Sequence, residues 1–409
     1  LIAAFRKSPE AVMTTRTPVP RLRAYEGPAL LSYGFRPFFL LGSIYAGLAI
    51  LVWLPLFYGE LSLHSAFAPR DWHVHEMLYG YLPAVITGFL FTAIPNWTGR
   101  LPIQGKPLLA LLLVWIAGRI VVAISADVGW LPAALVDVGF LAVIVAATTR
   151  EVLAGRNWRN LKVVALVGVL LVGNGAFHLE AHFSGTADYG VRVGIAVVVI
   201  LIALIGGRII PSFTRNWLAR ENPGRLPVPF GPLDIVIVGA SAAALSAWVF
   251  LQDGPIIGMV LGFTGMLHLV RLGRWAGDRT LADRLVLILH VGYFFVPLGF
   301  LLAAVAAQGL IPGSAGIHAW MAGAAGTMTL AVMTRATLGH TGQPLEASWP
   351  TQGIYAAVVV AALARICAAI EPLRSEVLLC VAAGAWAAAF LGFGIVFGPV
   401  LIRKSKRAR

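Results

Sequence analysis

The chain has 409 residues, of which 59% are hydrophobic and only 12% charged, whereas a soluble domain is nearer half apolar and about a quarter charged. That balance excludes a soluble globular protein and places the chain in a membrane. A formal net charge of +13 invites nucleic acid as a partner, but the basic residues are dispersed between apolar runs, so they report membrane topology and no nucleic-acid partner is expected.

Residues 1–37 read as a cytoplasmic N-terminal segment. Its beginning is basic and proline-interrupted, unlike a cleavable signal peptide, and Met13 is a candidate start. The segment runs into Gly34-Phe35-Arg36-Pro37-Phe38-Phe39. Pro37 suits the first turn of a helix, and phenylalanines with one arginine suit a membrane interface, so this is either an anchoring turn or a functional element. An all-α transmembrane domain is expected over residues 38–402. A span needs roughly 20 apolar residues, and about twelve such runs occur: 38–57, 74–95, 107–125, 130–148, 161–182, 190–211, 232–251, 255–275, 282–304, 317–338, 351–370 and 376–402. Short connections such as Gly254-Pro255 and Pro312-Gly313 leave no room for a soluble domain. Most Lys and Arg fall on the side of the N-terminus, which predicts that both termini are cytoplasmic. The tail at 403–409, with Arg403-Lys404-Ser405-Lys406-Arg407, is its last anchor.

The second run opens Trp72-His73-Val74-His75-Glu76-Met77. Acids inside a bilayer cost roughly 2.5–3.5 kcal/mol at mid-helix, so such residues usually line a cavity or hold a cofactor. His73 and His75 are two apart, about 200° around a helix, and face opposite ways. They cannot chelate one metal, but they can serve two centres on the two sides of one helix. His178 and His182 end the fifth run at the same outer depth and, four apart, project from one face where they can grip one ion. Glu180 between them points elsewhere, and His318 opens the tenth run at that depth. Imidazole suits haem iron and copper, and the apolar surroundings disfavour hard cations.

His268 and His290 match in depth on consecutive helices. They are either axial ligands of a haem, with Arg271, Arg274 and Arg284 for its propionates, or partners in an interhelical hydrogen bond. Arg119 and Asp137 also match in depth and are expected to form a buried ion pair. Arg119 and Arg365 are alternatively placed for haem propionates. His64 and His340 read as loop residues, and Cys367 and Cys380 as buried, inert thiols.

An internal repeat is also legible. His75-Glu76-Met77-Leu78-Tyr79-Gly80 and His318-Ala319-Trp320-Met321-Ala322-Gly323 open the second and tenth runs, and Thr98-Gly99-Arg100 and Thr341-Gly342-Gln343 close them. Each following run carries one arginine, Arg119 or Arg365, and the sixth ends in the weaker echo Ile210-Pro211-Ser212-Phe213-Thr214. Three four-helix units are therefore expected.

The 34–39 and 72–77 motifs, with Gly207-Arg208-Ile209-Ile210-Pro211 and Arg335-Ala336-Thr337-Leu338-Gly339-His340-Thr341-Gly342, resemble the NnrS family of bacterial membrane proteins, from about residue 29 to the last helix. The resemblance implies a twelve-helix inner-membrane protein that contains haem and copper and belongs to the nitric oxide response, nitrosative stress and denitrification. The layout is also similar to the catalytic subunit of haem–copper oxidases and nitric oxide reductases, although their adjacent His-His pair and His-x-x-x-Tyr motif are absent. On this reading nitric oxide is the ligand and haem b and copper are the cofactors. His75 with His318 is the expected axial pair, His73 serves a neighbouring centre, and His178 with His182 holds copper. Glu76, Tyr79 and Glu180 relay protons for a nitric oxide reductase-type oxidoreductase, with a quinol or periplasmic cytochrome as electron donor. The alternatives are a secondary transporter of a metal or small solute, with Arg119, Asp137 and Arg365 lining its path, and a non-catalytic nitric oxide sensor.

Overall fold

Each of the predicted apolar runs falls on a helix in the computed structural model, which describes residues 25–404. Among these residues there is no strand. The bounds are Phe35–Phe57 (α1), Pro69–Thr98 (α2), Lys106–Ala123 (α3), Trp130–Ala154 (α4), Leu161–Ser184 (α5), Asp188–Glu221 (α6), Pro232–Phe250 (α7), Pro255–Gly273 (α8), Arg284–Ala306 (α9), residues 314–341 (α10), Trp349–Ile370 (α11) and Ser375–Ile402 (α12). Eleven of the helices of the described residues are long and apolar enough to cross a membrane. The remaining long one, α10, is built from three consecutive pieces, Ser314–His318, a π-helical Ala319–Gly326 and Thr327–Thr341. Met13 and the rest of residues 1–24, and the tail at 405–409, lie outside the described residues.

Chain neighbours pack together along most of the sequence, and α1 also packs against α12, so the first and last helices meet. Helices α2, α6 and α10 touch one another in the middle of the bundle. Their sequences explain the close approach. A Cβ at Gly194, on α6, would lie 2.6 Å from Leu78 Cδ2 and from the Tyr79 hydroxyl oxygen of α2, so glycine allows this contact. The Thr-Gly motifs that close α2 and α10 are helix stops, with Gly99 at φ 70° and Gly342 at φ 73° in the left-handed region that releases the chain.

The openings of α2 and α10 share a backbone feature. In α2 the residues after His75, Glu76–Tyr81, form a π segment, and in α10 the π segment begins directly after His318. Such insertions widen the turn and re-aim side chains, and they are frequent at functional sites. Among the described residues α6 carries no counterpart.

The 34–39 motif forms the first turn of α1 and is buried in the bundle. Phe35, Phe38 and Phe39 are at most 1% exposed, and Arg36 is buried at 5%. Its Nη1 donates to the carbonyls of Leu401 at 2.7 Å, Arg403 at 2.9 Å and Val400 at 3.3 Å. These are acceptors that the end of α12 leaves without helical partners, at the negative pole of its dipole. The arginine therefore latches the first helix to the last.

Two smaller expectations are also revised. Cys367 and Cys380 are exposed, not buried; on membrane helices an apolar thiol meets lipid at no cost. His340 is helical, in the last turn of α10, where it stacks on Tyr33 with centroids 5.7 Å apart. His64 does lie in a connection, 3.0 Å from an Asp127 carboxylate oxygen.

Candidate metal and cofactor sites

His73 and His75 occupy the last α-helical turn before the π segment of α2, and their rings reach opposite sides of that helix. His75 points toward α4 and α5, and His73 toward α1 and α10.

On the His75 side, helices α1 to α5 bring a closed polar cluster together. His75, Glu76 and Asn174 are wholly buried and Asp137 is 1% exposed. Arg119 on α3 donates through Nη1 to both Glu76 carboxylate oxygens, at 2.7 and 2.6 Å, and through Nη2 to Asp137 Oδ1. Tyr45 on α1 donates to Glu76 Oε2. The predicted pair of Arg119 with Asp137 is thus present, and Glu76 joins it. Because the ion-paired Glu76 can only accept, His75 Nδ1, 2.9 Å from its Oε1, carries the hydrogen. The other ring nitrogen, Nε2, lies 3.1 Å from Asp137 Oδ2 and 3.1 Å from Asn174 Oδ1. His178 Nε2 approaches the same Asp137 oxygen at 3.0 Å, and Asn174 Nδ2 donates to it at 2.8 Å.

His75, Asp137 and His178 form a group whose donor atoms all lie within 4.8 Å of one another. Two imidazoles and a carboxylate are a donor set for first-row transition metals. Bonds of about 2.0–2.1 Å in tetrahedral geometry set donors roughly 3.3 Å apart, and each imidazole already lies 3.0–3.1 Å from the shared Asp137 oxygen. Two carboxylates against one guanidinium leave one negative charge, which a metal cation, or a proton on an imidazole, offsets. The residues present fit a metal ion.

On the His73 side lies a cavity of about 270 Å³, near the lower edge of the range for cofactor sites, about 300–1,000 Å³. Its wall is mostly apolar, and its ionisable nitrogen-bearing residues are His73, His318, Arg70 and Arg365. His73 stacks on Trp53 with centroids 4.2 Å apart, and its buried Nδ1 has no partner. His318 Nδ1 lies 2.6 Å from the Ser314 carbonyl, which can only accept, so the hydrogen sits on Nδ1 and the lone pair on Nε2. The buried Nε of Arg365 is also without a partner. Two imidazoles with uncommitted nitrogens, cations beside them and apolar walls are features that suit a tetrapyrrole with acidic side chains.

These placements revise several expectations. His318 shares its cavity with His73 and not with His75, because the intervening body of α2 separates His75 from α10. His182 is outside the metal group: it is exposed and stacks on Trp130 at 4.2 Å, while His178, one turn earlier, reaches Asp137. Glu180 accepts the backbone N–H groups of Tyr189 and Gly190 at 3.2 and 2.8 Å, which caps the start of α6. Tyr79 donates to the Gly190 carbonyl at 2.6 Å.

His268 and His290 take separate partners. His268 bridges Ser241 and Tyr293 with both ring nitrogens at 2.8 Å, and His290 Nε2 meets Thr214 at 2.9 Å. Arg271 is bound through Nε to Asp234 at 2.7 Å and through Nη1 to Tyr293 at 2.7 Å. Arg365, unlike Arg119, remains uncommitted. Sequence reasoning missed Tyr45, Trp53 and Asn174. The last had a signal, since Asn174 and His178 are one turn apart on the same face of α5; the others had none.

A bundle of membrane-spanning helices with a buried two-histidine, one-carboxylate group and a second, histidine-bearing cavity defines a polytopic membrane protein equipped to hold a metal. The family described as NnrS protein matches residues 29–405, nearly the whole chain. The chain belongs to that family. No curated protein matches it.

Proposed function

We propose that this protein is a bacterial inner-membrane haem and copper protein of nitric oxide metabolism, with both termini cytoplasmic and a domain spanning residues 38–402. His73 and His318 would hold haem b, and Arg365 and Arg70 are the cations available to its acidic side chains. Copper is held by His75, Asp137 and His178. The observation that carries this reading is the divided helix α2, which sends one imidazole into each of two separate sites. When bound, the haem and copper would supply electron transfer and nitric oxide binding.

The chain's own residues prepare those sites. Glu76 accepts from His75 Nδ1 and so presents Nε2 to the metal, the arrangement of a carboxylate orienting a ligating histidine. The Ser314 carbonyl does the same for His318. Arg119 holds Glu76 and Asp137 in place from the far side. Glu76 acts on this reading as a positioning residue, and any proton relay runs through the Glu76, His75 and Asp137 hydrogen bonds. Joining two nitric oxide molecules as nitrous oxide and water consumes two protons and two electrons, so an oxidoreductase needs both that relay and an external donor, a quinol or a cytochrome.

The test is haem and metal content of purified protein by absorption and elemental analysis. His73→Ala and His318→Ala should lose the Soret band and keep the other metal. His75→Ala and His178→Ala should do the reverse. Equal loss of both groups in all four variants, or of neither, overturns the two-site assignment. Nitric oxide consumption with a reduced donor, measured against metal-free protein, then separates an enzyme from a sensor.

A further inference from the structure

At the end of the bundle opposite the His73 cavity, where α2, α6 and α10 finish, lies a larger cavity of about 600 Å³. It belongs to neither site above. Two of its lining residues are Arg208 and Arg335, from the Gly207–Pro211 and Arg335–Gly342 motifs. Neither guanidinium makes a hydrogen bond or ion pair with another described residue. Arg335 lies over the Phe213 ring at 4.1 Å and Arg208 over Phe230 at 5.5 Å, and the buried Nε of Arg208 has no partner. Arg159 and Lys162 lie close enough to Arg208 for the like charges to interact. The acid whose charge acts on Arg335 is Asp283, whose carboxylate already accepts from the N–H groups of Leu285 and Val286. Arg220 adds a further positive charge on that side.

Above the arginines the wall turns apolar. A narrow slot of about 100 Å³ continues toward the bundle centre and shares Phe89, Ile205, Ile209 and Val332 with the cavity. A cluster of unpaired cations below an apolar slot is stable only with a counter-charge, and guanidinium forks favour carboxylate and phosphate. We propose that this cavity binds an amphiphilic anion, with its carboxylate or phosphate on Arg208 and Arg335 and its apolar body in the slot. The inference stands independently of the metal assignments.

The test uses delipidated, full-length protein in neutral detergent and native mass spectrometry. The probes are dioctanoyl-phosphatidylglycerol, the zwitterionic dioctanoyl-phosphatidylcholine and oleate. Wild type should bind the phosphatidylglycerol at least about tenfold more tightly than the phosphatidylcholine, and R208Q and R335Q should each lose about tenfold. Arg215→Gln, at an exposed position on the same end of α6, should bind as wild type does. Ala336→Phe keeps both arginines, narrows the cavity and should also weaken binding, which covers an arginine variant that does not fold. Arginine-dependent oleate binding identifies any anionic head as sufficient; its absence alongside phosphatidylglycerol binding identifies the phosphate. Equal affinity for charged and zwitterionic lipid, or binding unchanged in R208Q, R335Q and Ala336→Phe, overturns the proposal.

Discussion

Replacing Glu76 with glutamine removes one charge from a wholly buried network while leaving its shape nearly intact. Two consequences separate. First, the amide can turn its oxygen or its nitrogen toward His75, so the hydrogen on Nδ1 is no longer enforced and Nε2 is presented as a ligand only part of the time. Loss of such an orienting partner typically weakens metal binding by 10–100-fold, or about 1.4–2.7 kcal/mol. Second, Arg119 loses the carboxylate that accepts from its Nη1 at 2.7 and 2.6 Å and keeps only Asp137. Stranding one member of a buried pair costs about 3–5 kcal/mol, and with Asp137 still in contact the lower end is expected. The assays are competition with a metal chelator for affinity and thermal unfolding in detergent, without metal, for stability. His182→Ala is the control: a stacked, exposed ring outside the metal group, it should change metal affinity by less than about twofold. If E76Q holds metal as tightly as wild type while His178→Ala releases it, Glu76 does not orient His75 and the reasoning fails.

Three further outcomes follow from other contacts. Arg36→Ala frees three carbonyls at the end of α12 and should destabilise the apo protein by about 1–3 kcal/mol, measured by thermal unfolding, without altering metal content. Gly80→Ala places a methyl group against the Arg119 guanidinium and 3.0 Å from Glu76 Oε2, so elemental analysis should show metal lost from the His75 site while the Soret band of the other site stays. Ser241→Ala unpairs His268 Nε2 and should lower stability by about 1–3 kcal/mol with haem content unchanged, because His268 serves packing between helices.

The bundle was legible because lipid enforces a simple rule: a span must be long, apolar and helical, and those runs are plain in the sequence. The opposed directions of His73 and His75 were legible too, since a two-residue step fixes the angle between side chains whatever surrounds them. Depth could be counted along the chain, and it correctly matched Arg119 with Asp137. Azimuth could not. Residues at equal depth sit anywhere around a bundle, which is why His318 was paired with the wrong face of α2 and His268 with His290. His178 and His182 do share a face, since both rings meet α4, but the rise of about 6 Å over four residues sends one to Asp137 and the other to Trp130 at the start of that helix. The π segments left no compositional mark beyond glycines, so the widened turns after His75 and His318 were invisible until the backbone was seen.

The arrangement has a physical logic that ties both sites to α2. Burying Glu76, Asp137 and Arg119 inside a membrane protein is tolerable only because each satisfies another, and the residual negative charge fixes what else the cluster accepts: a proton or a cation. The neighbouring cavity has the opposite bias, with Arg70 and Arg365 and no carboxylate among its lining residues, and so favours a ligand that brings its own negative charge. One helix thus separates a cation-seeking pocket from an anion-seeking one, with an imidazole in each. A metal ion on one side and an acidic cofactor on the other would relieve both imbalances at once, across the width of a single helix. A solute path would instead need these charges to be released in turn, and the three contacts that Arg119 makes to Glu76 and Asp137 hold them fixed.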